Sequence, residues 1–114
     1  KLSEINNYDL IINISEDGWF GKSIGPHQHF VHSVFRAIEE GKSVIRSSNN
    51  GISAIIDPKG KILKINKSTT SGVLSIYGFE KLSEITVFSS YGRNNIFFYL
   101  VLIYITLIFF LKRQ

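Results

Sequence analysis

The sequence predicts an α/β chain: short apolar strands and one amphipathic helix, followed by a helix that spans a membrane. Three observations predict it. Residues 8–15, YDLIINIS, form an apolar run too short for a typical helix and bounded by polar residues, which fits a buried strand. Within 26–40, Phe30, Val34, Ala37 and Ile38 recur at helical spacing. Residues 96–111, IFFYLVLIYITLIFFL, carry no charge at all.

The elements follow in order. After the first strand, residues 17–26 hold Gly18, Gly21 and Gly25 and read as a loop. Pro26 suits the first turn of a helix, where its missing N–H does no harm. That helix runs from about Pro26 to Glu40 and stops at Gly41. Val44 and Ile45 lead into RSSNNG at 46–51, where Arg46 and the Asn49-Asn50-Gly51 run fix a chain reversal, with Asn suited to left-handed backbone. Residues 51–57, GISAIID, are the second strand. DPKG at 57–60 is a turn, with proline and glycine in their preferred places. Residues 61–66 alternate polar and apolar and pair back as a hairpin. Residues 72–77 give one more strand. No repeat or low-complexity linker interrupts the chain.

The tail is different in kind. Its roughly 16 apolar residues, at ~1.5 Å each, make a helix of about 24 Å, against ~30 Å for a bilayer core. Asn94 and Asn95 before it, and Lys112 and Arg113 after it, extend the reach to the interface. A buried core helix would need an apolar shell on every side, which about 90 preceding residues do not supply. The chain therefore divides into 1–92 and a membrane-spanning 93–114. The charges in LKRQ place the C-terminus in the cytoplasm and the domain outside it.

Composition removes several functions. The 114 residues suffice for one small domain. There is no cysteine, hence no disulfide, thiolate nucleophile or thiolate metal site. There is no methionine either, and Lys1 opens mid-pattern, so the N-terminus is read as a cut edge. The net charge of +4 is spread thinly, with lysines at 59, 61, 64 and 67. No Arg-rich helix or aromatic-basic interleaving appears, so no nucleic-acid partner is expected.

Chemistry concentrates in ISEDGWFGKSIGPHQHF, residues 14–30. His27, His29 and His32 lie close to Glu16 and Asp17. On a helix begun at Pro26, His29 and His32 share a face and His27 does not. No HExxH-like spacing is present, so neither a metal nor a cofactor is expected. Helix-start histidines that bond loop carbonyls are the plainer reading. No GxSxG accompanies the serines. A strand ending in acids, then Gly-Trp-Phe-Gly, then a helix start is where α/β proteins place sites. Trp19 and Phe20 either face a cavity or plug the core, and both readings stay open. Arg36 and Glu39 read as a structural ion pair.

DGWFGKSIGPHQHF followed by RAIEEGKSVIRSSNNGISAIIDPKGKI resembles the carboxyl-terminal part of the apolipoprotein N-acyltransferase family, of the nitrilase or carbon–nitrogen hydrolase superfamily. Residues 14–62 carry the likeness in two linked motifs at the family's spacing. The apolar tail also fits, because the family's nitrilase-like domain is followed by a last transmembrane helix. Departures occur. Glu16 stands where the family has Asn, and Gly18 where it has Ala. Lys42-Ser43 replaces Arg-Pro, and an arginine is lost within 88–92.

The resemblance implies a fold: the carboxyl-terminal part of a four-layer αββα sandwich, whose apolar strand faces need the missing half. It implies a reaction too. A cysteine takes an acyl chain from a phospholipid as a thioester, and the α-amine of a diacylglyceryl-cysteine lipoprotein receives it. The family's Glu-Lys-Cys triad supplies base, oxyanion partner and nucleophile. No residue here matches a triad position, so no catalytic residue is assigned and the chain alone is expected to be inactive. Trp19, Phe20, His27 and His29 are the expected substrate-binding wall. Phospholipid donor, lipoprotein acceptor, membrane and the missing amino-terminal part are the implied partners, in a bacterial inner membrane with the domain in the periplasm. Two other readings remain: a piece of a soluble nitrilase-type amidase, and a non-enzymatic membrane-anchored module that pairs with a separate amino-terminal half.

Overall fold

A computed structural model describes residues 8–67 and 71–112. In order they form β1 (Leu10–Glu16), a short 3-10 turn (Gly18–Phe20), α1 (Gly25–Glu40), β2 (Ser43–Asn49), β3 (Ser53–Ile56), β4 (Ile62–Asn66) and α2 (Val87–Leu111). The strands make one mixed sheet in the order β1-β2-β3-β4.

β1 and β2 run parallel, from Leu10 opposite Ser43 to Glu16 opposite Asn49. Parallel neighbours need a crossover, and α1 supplies it. β2, β3 and β4 pair antiparallel, as short connections allow. The β3–β4 register shifts once, between Ile55 and Ile56.

α1 forms where the spacing predicts it. Gly25 N–H donates to Ser23 Oγ at 3.1 Å, and Pro26 sits in the first turn. Gly41, at φ 63, ends the helix in left-handed backbone. Its inner face buries Phe30 and Ala37 against Val44, Ile52, Ala54 and Ile56, with Ile11 and Val34 at the margin. The other face of β1 is bare. Ile12 and Ile14 are 66% and 84% exposed, in strict alternation with half-buried Ile11 and Asn13.

Three expectations need correction. Residues 43–49 are a strand rather than a lead-in to a reversal. The signal is hidden because SVIRSSN buries polar groups, each with a partner. Ser43 Oγ donates to the Glu80 carbonyl at 2.7 Å and accepts Glu80 N–H at 3.1 Å. Residues 72–77 form no strand, although the Ser75 carbonyl accepts a bond from Lys64 Nζ; the chain then rejoins the sheet end through a Lys42–Lys81 bridge and a 2.9 Å bond from Leu82 N–H to the Gly41 carbonyl. The apolar tail also begins its helix earlier, at Val87, because the Thr86 side chain accepts Ser89 N–H at 3.1 Å and caps it.

The transmembrane helix expected over 96–111 is the fourth correction. Among the described residues no helix is long and apolar enough to cross a membrane. The stretch 97–111 rises about 22 Å at ~1.5 Å per residue, short of ~30 Å. Every side chain from 97 to 111 is nevertheless exposed, on all faces of the helix. Arg113, on which the orientation partly rested, lies outside the described residues, as does Lys1.

Candidate functional site

The site stands at the carboxyl end of the parallel pair, where β1 and β2 both stop and α1 begins. Parallel pairing there is what brings Asp17 beside residues 46–51: Asp17 N–H donates to the Asn49 carbonyl at 2.9 Å.

Arg46 is its centre. It points from β2 toward α1 and is 1% exposed. A guanidinium offers five donors in a fixed plane, and each has an acceptor. Nε donates to the Ile52 carbonyl at 3.1 Å. Nη1 donates to Asn13 Oδ1 at 2.6 Å and Ser33 Oγ at 3.2 Å. Nη2 donates to Asp17 Oδ2 at 2.8 Å and to Ser15 Oγ at 3.2 Å. One side chain thus ties β1, α1 and the β2–β3 turn together.

Asp17 is equally buried, at 1% exposure. Burial by itself pushes its carboxyl up. Hydrogen bonds from Ser15, His29, Ser48 and Arg46 outweigh that and hold it down at about 2. His29 Nδ1 lies 2.7 Å from Asp17 Oδ1. An ionised carboxylate only accepts, so the proton between them sits on Nδ1. His29, Asn13, His32 and Arg36 line an open cavity of about 340 Å³.

Glu16 organises the aromatic loop. Its Oε1 accepts Gly18 N–H at 2.6 Å and the Asn50 amide at 3.2 Å, and Oε2 accepts the Asn49 amide. These bonds, from Asn50 first, then Gly18 and Asn49, hold its carboxyl below the ordinary range. The Glu16 backbone carbonyl accepts the Trp19 indole N–H at 2.6 Å. Trp19 has spent its one donor internally, yet its ring is 83% exposed. Phe20 lies back over the helix start, its ring 5.7 Å from that of His29. Gly25 makes room for it, since a Cβ there would overlap the Phe20 ring.

The four expected wall residues are therefore only partly gathered. Phe20 and His29 touch. Trp19 stands outward on the same loop, so it does not plug the core. His27 is exposed in the first turn of α1, away from the Asp17 network. None of Trp19, Phe20 and His27 lines the cavity that His29 lines. Arg36 and Glu39 do pair, at 3.3 Å, and Arg36 also reaches Glu40 at 3.5 Å. Among the described residues no group of three or more His, Asp or Glu side chains is placed to hold a metal. Sequence reasoning missed Asp17 and Glu16 as organisers. No local signal marked them, because the burial of Arg46 that demands a carboxylate appears only in the folded chain.

The model of the carbon–nitrogen hydrolase domain matches residues 5–77. The chain belongs to the carbon–nitrogen hydrolase family. Its relatives within that family include the apolipoprotein N-acyltransferase of Rickettsia typhi, 47% identical over 105 residues, which are 90% of this chain and 20% of that protein. The apolipoprotein N-acyltransferase of Wigglesworthia glossinidia brevipalpis is 38% identical over 111 residues, 93% of this chain and 21% of its own length. That of Pseudomonas putida is 56% identical over 54 residues, 47% of this chain and 11% of its own. The chain spans about a fifth of the length of the first two relatives.

Proposed function

We propose that this chain is the carboxyl-terminal piece of an apolipoprotein N-acyltransferase. The observation that carries the reading is the 47% identity to proteins of that name across nine-tenths of the chain. In this reading the whole protein moves an acyl chain from a phospholipid to the α-amine of a lipoprotein's diacylglyceryl-cysteine, through a cysteine thioester. The nucleophile, with its Glu and Lys, belongs to sequence outside these residues, because this chain has no cysteine. Residues 1–92 complete a nitrilase-like αββα sandwich. The bare β1 face supports this, since Ile12 and Ile14 need a second layer to leave water.

Trp19 and Phe20 supply apolar wall, with His27 and His29 beside it. An indole whose N–H is already bonded presents only its ring to a ligand, which suits an acyl chain. The whole protein sits at the bacterial inner membrane, with this domain on the periplasmic side.

The test is acyl transfer to a diacylglyceryl-cysteine peptide. The protein carrying this chain together with its amino-terminal part should acylate the peptide; the isolated chain should not. Transfer by the isolated chain, or none by the longer protein, overturns the reading. Carbonate washing separates the soluble-amidase alternative, because a soluble protein leaves the membrane fraction.

A further inference from the structure

A β-carbon built on Gly18 falls 2.6 Å from Glu16 Oε1, nearer than any real contact allows, and 3.3 Å from the Asn50 amide nitrogen. The atom it meets first is the far end of a flexible side chain. Alanine at 18 can therefore be accommodated, but only by moving the Glu16 carboxylate. That carboxylate is what accepts Gly18 N–H and joins the loop to Asn49 and Asn50. Trp19 is the next residue, and its indole hangs on the Glu16 backbone carbonyl. So the reach of the acid and the absence of a side chain two residues on are parts of one arrangement.

We propose that Glu16 and Gly18 form a single positioning unit that holds the Trp19 ring in its outward pose. Glu16 is long enough to bridge from the end of β1 to the Asn49-Asn50 turn. Gly18 leaves the space that the bridging carboxylate occupies. A methyl group at 18 expels the longer acid. A shorter amide at 16 leaves that space free and can still accept the residue 18 N–H, as in an Asx turn. The contact Trp19 makes with an apolar acyl chain rests on the function proposed above; the positioning of its ring does not.

The test reads Trp19 directly. It is the only tryptophan of this chain. Its 5-fluorotryptophan resonance can be assigned in the intact protein by loss of signal in Trp19→Phe. Gly18→Ala should broaden or shift that resonance, as the ring leaves its single pose. Glu16→Asn in the Gly18→Ala background should restore a single sharp line, because the shorter side chain vacates the space. Glu16→Gln alone should keep the parent line, since its amide oxygen can accept the same N–H. A Gly18→Ala spectrum identical to the parent, or a double variant no sharper than Gly18→Ala, overturns the proposal. Circular dichroism on each variant shows that the fold persists, because Asp17 and Arg46 are untouched. Failure of acyl transfer with the resonance pattern intact would count against the acyltransferase reading alone.

Discussion

The Asp17 carboxylate and the Arg46 guanidinium meet at 2.8 Å with neither side chain exposed, 29 residues apart in sequence. Two buried charges survive there because each has hydrogen bonds beyond the pair itself. Breaking the pair from one side leaves the other charge uncompensated. Asp17→Ala and Arg46→Met should each cost about 3–5 kcal/mol, measured by urea unfolding. Arg46→Lys should cost nearly as much, because an ammonium cannot meet five coplanar acceptors. An Arg46→Lys protein as stable as the parent would show that charge alone matters.

Acid should act through the same carboxylate. Its folded value, about 2, lies below its unfolded value near ~4. The stabilisation is thus complete above about pH 4 and is lost as pH falls through about 2. Melting temperature should fall across that window. Asp17→Asn should start lower and lose less over it. Equal slopes for both proteins would remove Asp17 as the source.

Gly51 should accept no other residue. A Cβ there would land on the Asp17 carboxylate and the Ser48 hydroxyl, and Gly51 is buried. Unlike Glu16 beside Gly18, Asp17 is locked by Arg46 and cannot retreat. Gly51→Ala should destabilise by about 1–3 kcal/mol or more, with a matching fall in melting temperature.

Asn50 holds φ 56, which a residue with a β-carbon adopts at a cost. Asn50→Gly should relieve the backbone while losing the bond to Glu16. Asn50→Ala should lose both and be less stable than Asn50→Gly by about 1 kcal/mol. Paired chemical denaturation curves measure the difference, and the reverse order would contradict it.

Periodic burial was what the sequence showed best. Helical spacing placed α1 from its proline to its terminal glycine, a short apolar run placed β1, and alternation placed β4. β2 escaped because its burial is polar: Ser43 and Arg46 look like loop residues until their partners Glu80 and Asp17 are in place. Those partners lie 37 and 29 residues away, beyond any local pattern. The strand expected at 72–77 failed for the opposite reason, since apolar content suggested a ladder partner that does not pair there. The aromatic loop was legible as a place, not as a mechanism. Glu16 and Gly18 stood out as two departures from the resembled motif, and their geometry makes them one change.

The parallel pairing of β1 with β2 also sets an order of events in folding. β2, β3 and β4 meet through short antiparallel connections and can associate as soon as they are made. β1 is synthesised before these three strands, yet it must wait for α1 and then β2 before its ladder exists. Asp17 and Arg46 close that late-forming loop, so their mutual attraction belongs to the final steps. Substitutions there should speed unfolding far more than they slow folding. The chain's most strongly tied point then governs how long the fold lasts rather than how quickly it forms.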